Sequence, residues 1–244
     1  MNREEPMIHA QNLYMVRSGR KIFEIDDLTL HKGEVLALVG PNGAGKSSLL
    51  LTLALLEPLT GGTIRIDGQI AGNGNVLTLR RRMAVVFQEA LLLDFSVEQN
   101  ITAALRIRGV PKAETKKRVA RWLERFGISH LARQAARHLS GGEAQKTSLA
   151  RAFALEPEVL FLDEPFGALD YPTRKSLLNE LKQLLSDMNM TTLFVTHDYA
   201  EIPHLAQRAA VLHEGRILRD GDLSEVFGES LLERCRWAPW ETLT

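Results

Sequence analysis

Val35 to Ser48 reads VLALVGPNGAGKSS, and the fold class turns on this stretch. VLALVG is a short apolar run without alternation, the pattern of a strand covered on both faces, as in the parallel sheets of α/β proteins. Gly40-Pro41-Asn42-Gly43-Ala44-Gly45-Lys46-Ser47 follows and matches GxxxxGK[ST]. The glycines let the backbone curl around phosphate groups and turn its N–H groups inward, where side chains would obstruct. SSLLLTLALLE reads as a helix stopped before Pro58, beginning near Lys46, so its positive N-terminal dipole adds to an anion site. In such a loop Lys46 reaches the outer phosphates of a nucleotide and the Ser47 hydroxyl ligates Mg²⁺.

Outward from the loop, Gly61-Gly62 introduce TIRIDG, where Ile64 and Ile66 alternate with polar residues as in a half-exposed antiparallel strand. MAVVFQ, Met83 to Gln88, predicts a further strand. From about Glu98 to Ala154 strand runs vanish, and KAETKKRVARWLERFG shows helical periodicity ended by Gly127. Strands return at Val159–Leu162 and Thr191–Val195, with the helix TRKSLLNELKQLLSDM between them. AAVLHEGRIL predicts a hairpin turning at Glu214-Gly215. The expected picture is an α/β core interrupted by a helical insertion, with no internal repeat.

Val159 to Pro165 reads VLFLDEP, an apolar strand delivering two consecutive acids at its C-terminal end, where ligands bind in open α/β sheets. Asp163 suits a Mg²⁺-associated role through water, and Glu164 suits a base that polarises an attacking water. Asp-Glu-Pro alone is also a plain polar strand exit. Its place 117 positions after Lys46 favours the functional reading.

Composition limits the classes. The chain has 244 residues, 45% hydrophobic and 25% charged, with 30 basic residues balanced by 30 acidic ones. These values exclude a disordered chain, and a formal charge of zero does not advertise a nucleic-acid or membrane-surface protein. Cys235 is the single cysteine, which excludes an internal disulfide and fits a reducing, cytoplasmic setting. MNREEPMIHA has acids and a proline where a signal peptide needs an apolar stretch. The run Leu49 to Leu56 is far short of the ~18–20 residues needed to span a bilayer.

Leu139-Ser140-Gly141-Gly142-Glu143, inside LSGGEAQKTSLARAFA, resembles the signature motif of ABC-type ATPases. The same residues are also a serine–glycine turn capping a helix, and the free N–H groups of that turn are what would hold a γ-phosphate. The resemblance covers about residues 8–220, with the motifs in family order. It implies a P-loop NTPase (RecA-like) α/β core with an antiparallel β subdomain and an inserted α-helical subdomain at about 89–155. Those form one nucleotide-binding domain, 1–220, followed by a short tail, 221–244. It implies ATP and Mg²⁺ as ligands, with Gly40 to Ser48 at the phosphates and Ser47, Gln88 and Asp163 near the metal. Gln88 in VVFQEALLL resembles the glutamine that transmits nucleotide state to the helical insertion. His197 in FVTHD resembles the switch histidine that holds the γ-phosphate and orients the surroundings of Glu164. Ala168-Leu169-Asp170, after Gly167, resembles the loop that links two sites across a dimer.

The chain departs from the family pattern at three places. The signature ends in Glu143 where the common form has Gln, and Gly167 stands where many members have Ser; both are familiar variants. The family's aromatic adenine platform falls at Arg17, with Tyr14 three residues earlier; the base could stack on either, since a guanidinium plane also stacks on a base, or on neither.

The resemblance further implies a head-to-tail homodimer with two ATP sites, because one chain carries one phosphate loop and one signature. The lack of membrane spans points to the separate ATPase subunit of a bacterial importer, peripheral at the inner face of the cell membrane. Its partners would be integral membrane permease subunits and, indirectly, an extracytoplasmic solute-binding protein, with no nucleic acid. Exporters usually carry an acidic, glycine-containing loop before the signature, where this chain has ISHLARQAARH. The EPFGALD form is most like subunits serving small anions such as tungstate or molybdate, nitrate or sulfonates. A soluble ABC ATPase of iron–sulfur cluster assembly is the alternative of matching length. The neutral total conceals an imbalance: residues 104–151 hold twelve Lys/Arg against three acids. Solvated helix faces account for it, or a surface beside anionic lipid or an acidic permease loop.

Overall fold

The computed structural model describes residues 6–72 and 74–228. Cys235 and most of the expected tail therefore lie outside the described residues. Residues 6–31 form a long hairpin, β1 (Pro6–Arg17) and β2 (Arg20–His31), that no apolar run in the sequence announces. Its signal is the Ser18-Gly19 pair, both at positive φ, the geometry of the two-residue turn that matches strand twist. Next come the phosphate-loop strand β3 (Val35–Val39), helix α1 (Lys46–Leu53), β4 (Gly61–Ile66) and the short β5 (Gln69–Ile70). Strands β1, β2, β4 and β5 make an antiparallel sheet in the order β2-β1-β4-β5.

Helix α1 stops five residues before Pro58. Leu55 takes a left-handed φ of 58°, its N–H donates to Thr52 O at 2.9 Å, and the N–H of Leu56 reaches Leu51 O at 2.8 Å. That pair of bonds is the Schellman termination. A leucine holds the position usually given to glycine because Leu55 is buried, so packing offsets the backbone strain.

The chain continues through α2 (Val76–Arg80), β6 (Met83–Val86) and the helical segment α3 (Val97–Ile107), α4 (Lys112–Arg125) and α5 (Gly141–Ala154). It then returns to the sheet with β7 (Val159–Asp163), α6 (Tyr171–Asp187), β8 (Thr191–Thr196) and α7 (Ile202–Leu205). A final hairpin, β9 (Arg208–His213) and β10 (Arg216–Asp222), turns at Glu214-Gly215 as its sequence predicts, and α8 (Leu223–Phe227) follows. The second sheet runs β10-β9-β3-β8-β7-β6; β3 pairs in parallel with both β8 and β9.

This central sheet separates two cores. Successive β3 residues point to opposite faces. Val35, Ala37 and Val39 face a core shared with the helices α3 to α6, while Leu36 and Leu38 face α1 and the antiparallel sheet. The helical segment has its own aromatic centre: the Phe153 ring lies 5.1 Å from Trp122 and 5.8 Å from Phe126. Buried Asn100 secures the entry to α3, its amide accepting from Leu93 N and donating to Leu93 O and Ser96 O. Among the described residues no helix is long and apolar enough to cross a membrane.

Phe153→Ala is expected to cost about 3–5 kcal/mol, because it opens a void between Trp122 and Phe126. Urea unfolding followed by tryptophan fluorescence measures it; a loss under about 1 kcal/mol would mean the cluster collapses around the void.

Candidate nucleotide site

Strand β3 carries the backbone to Gly40, and there the chain must turn immediately. Gly40 has φ 153°, and a Cβ at this position would collide with the Leu212 carbonyl oxygen on β9. A glycine is therefore required by contact with a neighbouring strand as well as by the loop's curl. The Lys46 side chain folds back over the loop, donating from Nζ to Gly40 O at 2.9 Å and Pro41 O at 3.0 Å. Burial pulls its ammonium below the ordinary lysine range, with Glu164 and Asp163 opposing. An ammonium resting on two carbonyls is placed to exchange them for phosphate oxygens.

Strands β3, β7 and β8 end together. Ser47 Oγ donates to Asp163 Oδ1 at 3.0 Å. Burial raises the Asp163 carboxyl, the Ser47 hydrogen bond lowers it, and Glu164 and Lys46 add smaller opposed effects. Glu164 takes a left-handed φ of 46°, and its N–H donates to Val195 O at 2.9 Å. Its Oε2 lies 2.9 Å from Nδ1 of His197, the residue that follows β8. The strained backbone is confined to this one acid of the pair. A hydroxyl and a carboxylate in contact are hard oxygen donors, a pair whose chemistry fits Mg²⁺.

Gln88 follows β6 and sits against Gly167: a Cβ on Gly167 would come within 3.0 Å of the Gln88 amide nitrogen. The glycine found here in place of serine thus leaves room for the Gln88 side chain. Two residues that sequence reasoning missed hold the segment around Gln88 from α5. Gln145 Nε2 donates to Phe87 O at 3.3 Å, and Arg151 donates to Leu91 O and Ala90 O at 3.1 and 3.2 Å. Both lie in LSGGEAQKTSLARAFA, but only the fold brings that helix beside residues 87–91.

Ser140 caps α5, and Glu143 closes the box. Ser140 N and Ser140 Oγ both donate to Glu143 Oε2 at 2.8 Å, which holds the Glu143 carboxyl below the usual range. One oxygen accepts both bonds, so glutamate here does what a glutamine oxygen would do. Ser140, Gly141, Gly142, Ala168 and Asp170 line one cavity of about 470 Å³. Pro41, Asn42, Gly43 and Ala44 line another, of about 600 Å³, with Arg20 and Ile22. The two linings share no residue. Asp170 caps α6 through Thr173 N, and Leu169 O accepts from Arg174.

The two adenine-platform candidates lie elsewhere. Arg17 makes an ion pair with Glu57 at 2.8 Å, and the Tyr14 ring lies across Gly61. Much of the positive charge of residues 104–151 is also engaged. Arg118 and Arg121 pair with Glu156, Lys146 with Glu180, and Arg108 donates to backbone carbonyls. Lys116 and Lys117 remain exposed.

Residues 23–167 match the ABC transporter family. The chain belongs to that family. It is 43% identical over 202 residues to the sulfate/thiosulfate import ATP-binding protein CysA of Mycobacterium tuberculosis (strain ATCC 25618 / H37Rv), covering 82% of this chain and 57% of that protein. It is 40% identical over 219 residues to the molybdate/tungstate import ATP-binding protein WtpC of Thermococcus kodakarensis, covering 86% of this chain and 64% of that protein. The chain thus spans about three-fifths of the length of these curated relatives. Among solved structures, cbiO1 from Clostridium perfringens, part of the ABC transporter complex cbiONQ, superposes with a TM-score of 0.86 at 29% identity, covering 95% of this chain and 94% of that one. The dimeric ATP-binding cassette MJ0796, in a post-hydrolysis state bound to ADP and Pi, gives 0.80 at 26% identity, with 89% and 99% covered. The fold is accordingly that of the P-loop ATPase domain of ABC proteins.

A buried acid lies behind the site. The Glu201 side chain accepts from Thr196 Oγ1 at 2.6 Å, and burial pushes its carboxyl up to about 7. Below its ordinary value of 4.5 folded and unfolded chains both hold the proton, and the stabilisation is complete. Between there and about 7 the unfolded chain ionises first, so stability falls as pH rises. Glu201→Gln keeps the accepting oxygen and removes the titration. Relative to this variant, the wild-type chain is expected to lose roughly 2–3 kcal/mol between pH 5 and 8, read from urea midpoints; parallel pH profiles would contradict it.

Proposed function

We propose that this chain is the ATP-hydrolysing subunit of a membrane importer, working as a head-to-tail homodimer at the inner face of the cell membrane. The observation that carries the pairing is the separation of phosphate loop and signature into two cavities with no shared lining. Each chain then contributes half of two sites, and ATP completes the contact. A two-fold arrangement satisfies both halves at once. The ATP-binding import names of the relatives support the transport role, and the dimeric MJ0796 cassette supports the pairing.

In this reading the loop Gly40 to Ser48 wraps the phosphates and Lys46 neutralises their outer charge. Ser47 and Asp163, with Gln88, would hold Mg²⁺, which supplies charge neutralisation on the phosphate oxygens when bound. Glu164 polarises the attacking water, and His197, already 2.9 Å from that carboxylate, orients it and meets the γ-phosphate. Ser140, Gly141 and Gly142 of the second copy present the helix N-terminus to the same phosphate, with Glu143 holding the cap. Ala168, Leu169 and Asp170 border that cavity and couple one site to the other. Loss of the γ-phosphate removes the shared ligand and opens the dimer, the motion a permease uses.

The cargo in this reading is a small inorganic anion, read by the permease and an extracytoplasmic solute-binding protein. CysA and WtpC support this, being more similar to the chain than the spermidine/putrescine import protein PotA of Aggregatibacter actinomycetemcomitans, at 36%. Copurification with a membrane permease tests the transport role; recovery with a soluble iron–sulfur scaffold would replace it.

Glu164→Gln is expected to keep ATP binding, lose ~10²–10⁴-fold in turnover and accumulate an ATP-dependent dimer by light scattering. Wild-type turnover would remove Glu164 from the base role. Lys46→Ala is expected to weaken ATP binding by calorimetry at unchanged fold; unaltered affinity would overturn the loop assignment.

A further inference from the structure

The hairpin turn of β1 and β2 sets two arginines directly opposite one another, Arg17 across from Arg20. Like charges in that register repel. The structure separates them by giving Arg17 a partner: its guanidinium pairs with Glu57 at 2.8 Å, beyond the C-terminal end of α1. Tyr14 is held too, its ring lying across Gly61, where a Cβ would strike it. Arg20 has neither constraint. It is exposed, has no ion-pair partner among the described residues, and lines the cavity of about 600 Å³ beside Pro41 to Ala44. Its neighbours there are Lys21, committed to Glu24 at 2.9 Å, together with Ile22 and the turn His213 to Gly215.

The direction of a nucleotide on the loop follows from the charges. The end of the phosphate chain that reacts belongs beside Ser47, Asp163 and Glu164. The nucleoside then leaves by the other flank of the loop, which is this cavity. No Phe, Tyr or Trp lines it, and its one aromatic ring is the imidazole of His213, at the end of β9.

We infer that Arg20 is the base-binding residue of this chain, its guanidinium plane stacking on the purine against Ile22, in place of Arg17 or Tyr14. A planar, weakly hydrated cation serves a π face well. A partner-free arginine is available for it, whereas Arg17 would first have to leave Glu57. The inference rests on the nucleotide reading of the phosphate loop.

The test compares ATP with inorganic tripolyphosphate, which carries the charge but no base. Both are titrated with Mg²⁺ into the full chain by calorimetry. Arg20→Ala is expected to weaken ATP roughly 5- to 20-fold and tripolyphosphate less than about twofold. Arg20→Tyr is expected to bring ATP back to within about threefold of wild type, because an aromatic ring restores the stack without the charge. An equal loss for both ligands would show a general charge effect and overturn the assignment, as would unchanged ATP affinity in Arg20→Ala. A greater loss of ATP in Arg17→Ala than in Arg20→Ala would return the role to Arg17. Failure of wild-type chain to bind either ligand would overturn the nucleotide reading itself.

Discussion

Strand β3 is flanked in parallel by β8 and β9 and covered on both faces, and the site depends on that confinement. A strand so placed cannot drift, so the loop that follows begins at a set point. Gly40 then meets the Leu212 carbonyl on β9, so only a residue without a Cβ fits where the loop begins. The same parallel register carries β7 and β8 to the same edge. Glu164 is tied there to Val195 O, and its carboxylate to His197. Loop, acids and histidine converge because their strands are neighbours, although they lie far apart in the chain.

The signature lies at the far end of the core shared by the sheet and helices α3 to α6. It caps α5, whose body packs into the aromatic centre around Phe153, and it opens onto a cavity of its own. Near the site, α5 also grips the segment around Gln88 through Gln145 and Arg151, and Gly167 borders that segment. Arg151 is a costly link, since burial disfavours its charge and two carbonyls are what balance it.

The neutral total charge has a structural account. The basic surplus in residues 104–151 is partly internal stitching: Arg118 and Arg121 fasten α4 to Glu156, Lys146 fastens α5 to Glu180 on α6, and Arg108 fastens α3 to the end of α2. The ion pairs among these cancel charge across elements, which a count along the chain cannot see. The surface left for an anionic partner is therefore smaller than the sequence suggests, with Arg106, Lys112, Lys116, Lys117 and Arg133 exposed and outside these ion pairs.

The amino-acid sequence by itself determined the local devices. The phosphate loop is legible because its chemistry lies in one short run of backbone, and the β9–β10 turn because two residues at positive φ suffice. The helices of the insertion are legible from periodicity over one or two turns. The carboxylate pair was legible as a strand end, and the signature as a helix cap. Tertiary structure alone decided where α1 stops, since Leu55 is strained locally and repaid by burial. It also decided which arginine is free, since Glu57 lies forty residues beyond Arg17. Gln145 and Arg151 became visible only once α5 lay against residues 87–91. The separation of loop and signature into two cavities belongs to the same class. Each of these depends on which backbone comes to rest beside which, a relation between sequence-distant groups that no local pattern encodes.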